Sequence, residues 1–155
     1  MSAAPPLLQV ERASVRYALR GAGLLAPSRT LDALTDVSIV IPEGGRLGVV
    51  GESGSGKSTL ARVVLGLVRA HTGRVAWEGR TVDYGDATAM RSLRREMQVV
   101  FQDPFGSLDP RMTAGQAVGE ALQALAGPVA SVAAQDRIRA ALSEVGLAAA
   151  FANRY

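Results

Sequence analysis

The stretch Arg46-Leu47-Gly48-Val49-Val50-Gly51-Glu52-Ser53-Gly54-Ser55-Gly56-Lys57-Ser58-Thr59 decides how the chain is read. Its second half, from Gly51, fits G-x-x-x-x-G-K-[ST], a loop that cradles phosphates. The apolar run 46–50 predicts a buried strand, and 60–68 predicts a helix that begins near Lys57. Strand, glycine loop and helix are the context this motif needs. Gly51, Gly54 and Gly56 let the backbone come close to a ligand. The amides of the loop, including Ser53 and Ser55, can then turn inward around phosphate oxygens. The helix start adds unpaired N–H groups and the positive end of its dipole. Lys57 supplies a cation for the outer phosphates and Ser58 a hydroxyl for Mg²⁺. Thr59 falls in the first helical turn. Lys57 is the only lysine in a chain whose other basic residues are arginines.

Composition narrows the remaining classes. With 155 residues, 48% apolar and 20% charged, the chain has the make-up of about one globular domain with a core. A net charge of +3 comes from scattered arginines, which describes a solvated face and not a nucleic-acid patch. There is no cysteine, so disulfides and thiolate metal sites are excluded, and His71 alone cannot build a histidine metal centre. No apolar run approaches the roughly 18 residues of a membrane span. Residues 1–6 lack the basic start and apolar core of a signal peptide. These features lead to the expectation of a cytoplasmic chain.

Outward from the loop, 7–18 predicts a strand pair or one bent strand, 20–29 a loop and 34–41 a strand. Pro42-Glu43-Gly44-Gly45 predicts a turn. Beyond the loop's helix, Thr72-Gly73 predicts a turn, 74–77 a strand, Glu78-Gly79 a tight turn and 87–96 a helix with a basic side. Residues 97–101 predict a second buried strand ending at Gln102. Helices are expected over 113–125, with Thr113 as N-cap, and over 130–145, ended near Gly146. The alternation of β and α signals implies a mainly parallel sheet with crossover helices. The expected division is 1–103 for the phosphate-binding core with an N-terminal β-subdomain, and 104–155 for a helical part.

Tyr17, the loop 51–59 and the run Val99-Val100-Phe101-Gln102-Asp103-Pro104 stand in an order that resembles the ATP-binding subunits of ABC transporters. Residues 49–59 and 101–113 are similar to the oligopeptide/dipeptide/nickel import branch. The resemblance implies an α/β P-loop NTPase fold, of the ABC nucleotide-binding type, with an antiparallel β-subdomain and a partial helical subdomain. It implies ATP and Mg²⁺ as ligands, with Tyr17 stacked on adenine. Gln102 would be the glutamine that reaches Mg²⁺ and the attacking water, a task a neutral amide suits. It also implies permease subunits, a second ATP-binding subunit and, indirectly, a solute-binding protein as partners, with no nucleic acid, and a place on the inner face of the cell membrane. Asp109 stands where an asparagine is often seen.

The sequence contains no Leu-Ser-Gly-Gly-Gln-like signature, no apolar strand ending in Asp-Glu and no later switch histidine. The expectation is therefore the first part of an importer ATPase, able to bind ATP and inactive alone, since no carboxylate pair activates water. The alternatives are a nucleotide-binding fragment without hydrolysis or another P-loop NTPase. A GTPase's Asn-Lys-x-Asp motif needs a second lysine, and the alanine-rich tail does not look like the basic lid of a small kinase.

Overall fold

The computed structural model describes residues 5–19, 29–103, 106–127 and 131–155. Residues 20–28 of the loop expected at 20–29, Pro104-Phe105, the first residues of the chain and the start of the last predicted helix lie outside them, while Arg29 begins a strand. The chain divides into two compact units, 1–97 and 98–155.

In the first unit β1 (Leu8–Leu19), β2 (Arg29–Ile41), β3 (Thr72–Trp77) and β4 (Arg80–Thr81) form one sheet in the order β2-β1-β3-β4. Every pairing in it is antiparallel. Valine, isoleucine and threonine make up six of the thirteen residues of β2, and such branched side chains suit a half-buried pleated surface. Of the two readings of 7–18, one bent strand is what forms. Glu78 and Gly79 close the β3–β4 hairpin with φ of 49° and 75°. Two positive φ values in a two-residue loop match the right-handed twist of the strands they join. Helix α1 (Lys57–Val64) packs on the sheet through Leu60 and Val63. Leu8, Val10, Ala13, Val15, Leu34 and Val75 complete the core.

Helix α2 (Ala87–Glu96) has the predicted bounds. Asp86 caps it by accepting from the amides of Thr88 at 2.7 Å and Ala89 at 3.2 Å. Arg94 and Arg95 in its last turn favour the negative end of the dipole.

Four expectations need correction. Residues 46–50 and 97–101 join no ladder among the described residues, and Val50 and Val100 are 92% and 97% exposed. Apolar β-formers define a strand only when a neighbour takes up their backbone groups. Consequently the described sheet is antiparallel and holds no parallel pair. Thr72-Gly73, read as a turn, belongs to β3, where the backbone of β1 comes close. The loop's helix also ends sooner than predicted, at Val64, because the chain reverses at Gly66 with φ of 68°.

The second unit consists of α3 (Ala114–Ala126), α4 (Ser131–Glu144) and a short 3₁₀ turn, Ala149–Asn153. Thr113 and Gln116 form a reciprocal capping box at the start of α3. The Thr113 amide donates to Gln116 Oε1 at 2.8 Å and the Gln116 amide to Thr113 Oγ1 at 3.2 Å. The amide of Ala114 donates to the Arg154 carbonyl at 2.8 Å and ties the 3₁₀ turn to this end. No single helix among the described residues is long and apolar enough to cross a membrane.

Candidate phosphate-binding site

The loop leaves β2 through the turn at Pro42, whose carbonyl accepts from the Gly45 amide at 2.9 Å. Residues 51–55 are exposed and curl over the start of α1. Gly56 is the N-cap of α1, with φ of 94° and no side-chain cap. A Cβ at Gly56 would lie 2.5 Å from the Ala33 carbonyl oxygen and 3.0 Å from a Leu34 methyl. Glycine is thus required twice, by its backbone angle and by the floor that β2 puts under it. No acidic residue occupies the first turn of α1, so nothing of that kind offsets the positive end of its dipole.

Lys57 is folded back across the loop. Its Nζ donates to the carbonyls of Gly51 at 2.7 Å and Glu52 at 2.6 Å, and to Ser55 Oγ at 3.3 Å. The Ser55 amide donates to the Glu52 carbonyl at 3.2 Å. One ammonium therefore collects the loop into a ring and stands at its mouth. The Ser58 side of α1 is exposed and Thr59 is half-buried. The set is one cation, hydroxyls at Ser53, Ser55, Ser58 and Thr59, and backbone amides. That chemistry fits a polyphosphate. No cluster of three carboxylates or histidines among the described residues forms a metal site by itself, so a divalent ion here would need ligand oxygens beside Ser58.

Tyr17 lies on β1 opposite Leu31, half-buried against the same core that holds α1. Its hydroxyl is buried and has no hydrogen-bond partner in the structure. Gln102 belongs to the second unit and is exposed. The segment after it is tied by Asp103, whose Oδ1 accepts from the Gly106 amide at 3.1 Å. The Ser107 hydroxyl donates to the Asp103 carbonyl at 2.7 Å. The loop residues and Tyr17 thus share one unit, and Gln102 sits in the other.

Sequence reasoning missed two supports. Ala33 and Leu34 floor the loop, and a strand-like pattern gives no sign of which carbonyl will meet a glycine. Tyr84 donates its hydroxyl to the Val63 carbonyl at 3.1 Å, holding the last turn of α1, and burial pushes that hydroxyl's pKa up to about 12.

Residues 34–155 match the family described as ABC transporter. The chain belongs to the ABC transporter family. The oligopeptide transport ATP-binding protein OppF of Salmonella typhimurium is 43% identical over 129 residues, 83% of this chain and 39% of that protein. OppF of Haemophilus influenzae is 38% identical over 96% of this chain and 46% of its own length. The glutathione import ATP-binding protein GsiA of Salmonella choleraesuis is 39% identical over 97% of this chain and 24% of its own. The chain thus spans less than half the length of the curated relatives it matches. Among solved structures, the ATP-binding cassette MJ0796, in a dimeric post-hydrolysis state with ADP and Pi, superposes with a TM-score of 0.72 at 24% identity. That match covers 95% of this chain and 60% of MJ0796. CbiO1 from Clostridium perfringens, part of the complex cbiONQ, gives 0.65 at 23% identity, over 92% of this chain and 51% of its own. These likenesses establish the fold: the α/β P-loop nucleotide-binding fold of the ABC type.

Proposed function

We propose that this ABC-family chain is the nucleotide-binding part of an importer ATPase for peptides or a related solute. The observation that carries the reading is the loop 51–59, closed on Lys57 and floored by β2. ATP would lie with its phosphates among the loop amides, Lys57, Ser58 and Thr59, and its adenine against Tyr17. Mg²⁺ would take the Ser58 hydroxyl, with Gln102 as a further polar ligand. The nucleotide and its metal supply the phosphoanhydride and its charge neutralisation. What the chain's own residues contribute is binding and orientation. Lys57 would exchange the Gly51 and Glu52 carbonyls for phosphate oxygens, a swap of neutral for charged acceptors and so a stronger hydrogen bond.

The printed names of the relatives, oligopeptide transport and glutathione import, support a peptide-like solute. Permease subunits and a second ATP-binding subunit are the proposed partners, with a solute-binding protein acting through the permease. Such an assembly would hold the chain at the inner face of the membrane. The test is titration of a fluorescent ATP analogue, with and without Mg²⁺, into wild type and Lys57→Ala. Loss of the charged contact is expected to weaken binding by about 1.5–3 kcal/mol. Equal affinities for the two proteins would sink the reading.

A further inference from the structure

Strand β1 changes faces part-way along. Leu8 and Val10 are buried, then Ala13 and Val15, so the inward positions switch from even to odd numbers. Pairing with β2 shows where. Val10 pairs with Ile39, Ala13 with Val37 and Val15 with Leu34. The first interval holds one extra residue on β1 and the second one extra on β2; a further shift, between Val15 and Arg16, which pairs with Asp32, adds another on β2 without altering the alternation of β1. Arg12 and Asp36 fall in these intervals, with φ of 48° and 52°. Left-handed backbone is uncommon for residues with a Cβ and persists only where the surroundings impose it.

Here three strands impose it. The Arg12 amide donates to Ser38 Oγ at 2.9 Å and the Asp36 amide to Ser14 Oγ at 3.0 Å. Arg12 Nε donates to Asp36 Oδ1 at 2.8 Å. From the other side, β3 brings Gly73 so close that a Cβ there would collide with the Glu11 and Arg12 carbonyls and the Ala13 amide. A residue larger than glycine at 73 would push the bulge out.

A one-residue slip sends every later side chain of a strand to the opposite face. Had β1 kept its first alternation, positions 12, 14 and 16 would face the core and Tyr17 would face away. With the bulge, Ala13, Val15 and Tyr17 face the core cluster, beside the Leu34 that floors Gly56. We propose that the paired bulge at Arg12 and Asp36 is a positioning device that sets Tyr17 on the loop's side of the sheet, and so governs affinity for the nucleotide's base and not for its phosphates. This rests on the reading of Tyr17 as the adenine-stacking residue.

The experiment compares affinities of the 155-residue chain for Mg·ATP and for Mg·tripolyphosphate, which carries no base. Tyr17→Ala sets the scale and should lose about tenfold or more for ATP, with tripolyphosphate unchanged. Tyr17→Phe should lose nothing, since the hydroxyl has no partner. Arg12→Gly and Arg12→Val both delete the guanidinium but differ in backbone preference. Arg12→Gly should keep wild-type affinity for both ligands, while Arg12→Val should lose affinity for ATP alone. Circular dichroism checks that each variant folds. If Arg12→Val does not fold, Ser14→Ala with Ser38→Ala, which removes both amide acceptors, takes its place with the same expected split. Should Tyr17→Ala lose ATP while the bulge variants keep it, or lose both ligands equally, the positioning role is overturned and the base reading stands. A Tyr17→Ala protein with unchanged ATP affinity overturns the base reading, and the positioning role with it.

Discussion

Residues 5–97 and residues 98–155 hold their shapes by different means. In the first unit Val10, Ala13, Val63 and Val75 are between 0% and 1% exposed, under a sheet whose every pair is antiparallel. In the second, Leu142 is the one fully buried hydrophobic residue among those described, and α3 fully buries none. There, order comes from chain ends and turns: the Thr113–Gln116 box, the Asp103 turn and the clasp of Arg111 on Asp109 at 2.7 Å. A core fixes positions to fractions of an ångström because it is close-packed. Capping hydrogen bonds fix a local conformation and leave the faces of the helices open. The contrast teaches that the base of the phosphate loop, at Gly56 and α1, is fixed by packing, whereas the Gln102 region is held by local bonds.

The strongest challenge to that contrast is a pair of truncations. Leu60→Ala removes a buried anchor of α1 and should cost about 2–5 kcal/mol of stability in the first unit. Hydrogen exchange should show the loss in β1, β2 and α1 while the amides of α3 keep their protection. Leu142→Ala should do the reverse. If either change loosens both units alike, they are one cooperative body and the contrast fails.

Next in size, Tyr84→Phe should cost about 0.5–1.5 kcal/mol, the net worth of one hydrogen bond to Val63. It carries its own pH signature. The folded pKa, about 12, lies above the ordinary value of 10.0, so the folded state keeps its proton longer than the unfolded one. Stability from this group is complete below pH 10 and drains away as pH rises towards 12. The alkaline fall in melting temperature should be smaller in Tyr84→Phe; equal falls would show that the hydroxyl is not buried as described.

Thr113→Ala should cost about 1 kcal/mol, the value of an N-cap, and its effect on exchange should stay within α3. A change that spreads to β1 would blur the two units. Smallest of all is Glu11→Gln. Arg74 holds the Glu11 carboxyl below its usual range mainly by a hydrogen bond, yet the pair is open to water, and such pairs contribute little. The melting temperature near pH 7 should be unchanged. Since the folded pKa is the lower one, any contribution exists above the usual carboxylate range and fades as pH falls through it. A clear loss at pH 7 would mean that the Arg74–Glu11 pair braces the bulge more strongly than its exposure suggests.

The phosphate loop was legible because its demands are local: glycines, one lysine and a helix start within nine residues. Helix α2 was legible for the same reason, from the basic side of 87–96, although its Asp86 cap was not read. The runs 46–50 and 97–101 misled because apolar content and β-branching are local too, whereas strand pairing is a property of neighbours. The bulge was half legible. The change from Leu8 and Val10 to Ala13, Val15 and Tyr17 is written in the sequence as a broken alternation, but only the register of β2 shows that Asp36 compensates for Arg12. That Gly56 needs the Ala33 carbonyl beneath it depends on residues 23 positions apart, and no periodicity encodes such a contact.

Lys57 has a practical consequence as the chain's sole lysine. Apart from the terminal amine, its Nζ is the only primary amine an acylating reagent can find. In the closed loop that nitrogen already donates to Gly51, Glu52 and Ser55, and as a three-fold donor it has no lone pair to offer a reagent while those bonds hold. The rate at which an amine-directed dye attaches there is therefore a clock for the opening of the loop, read from a single covalent adduct by mass spectrometry without any engineered label.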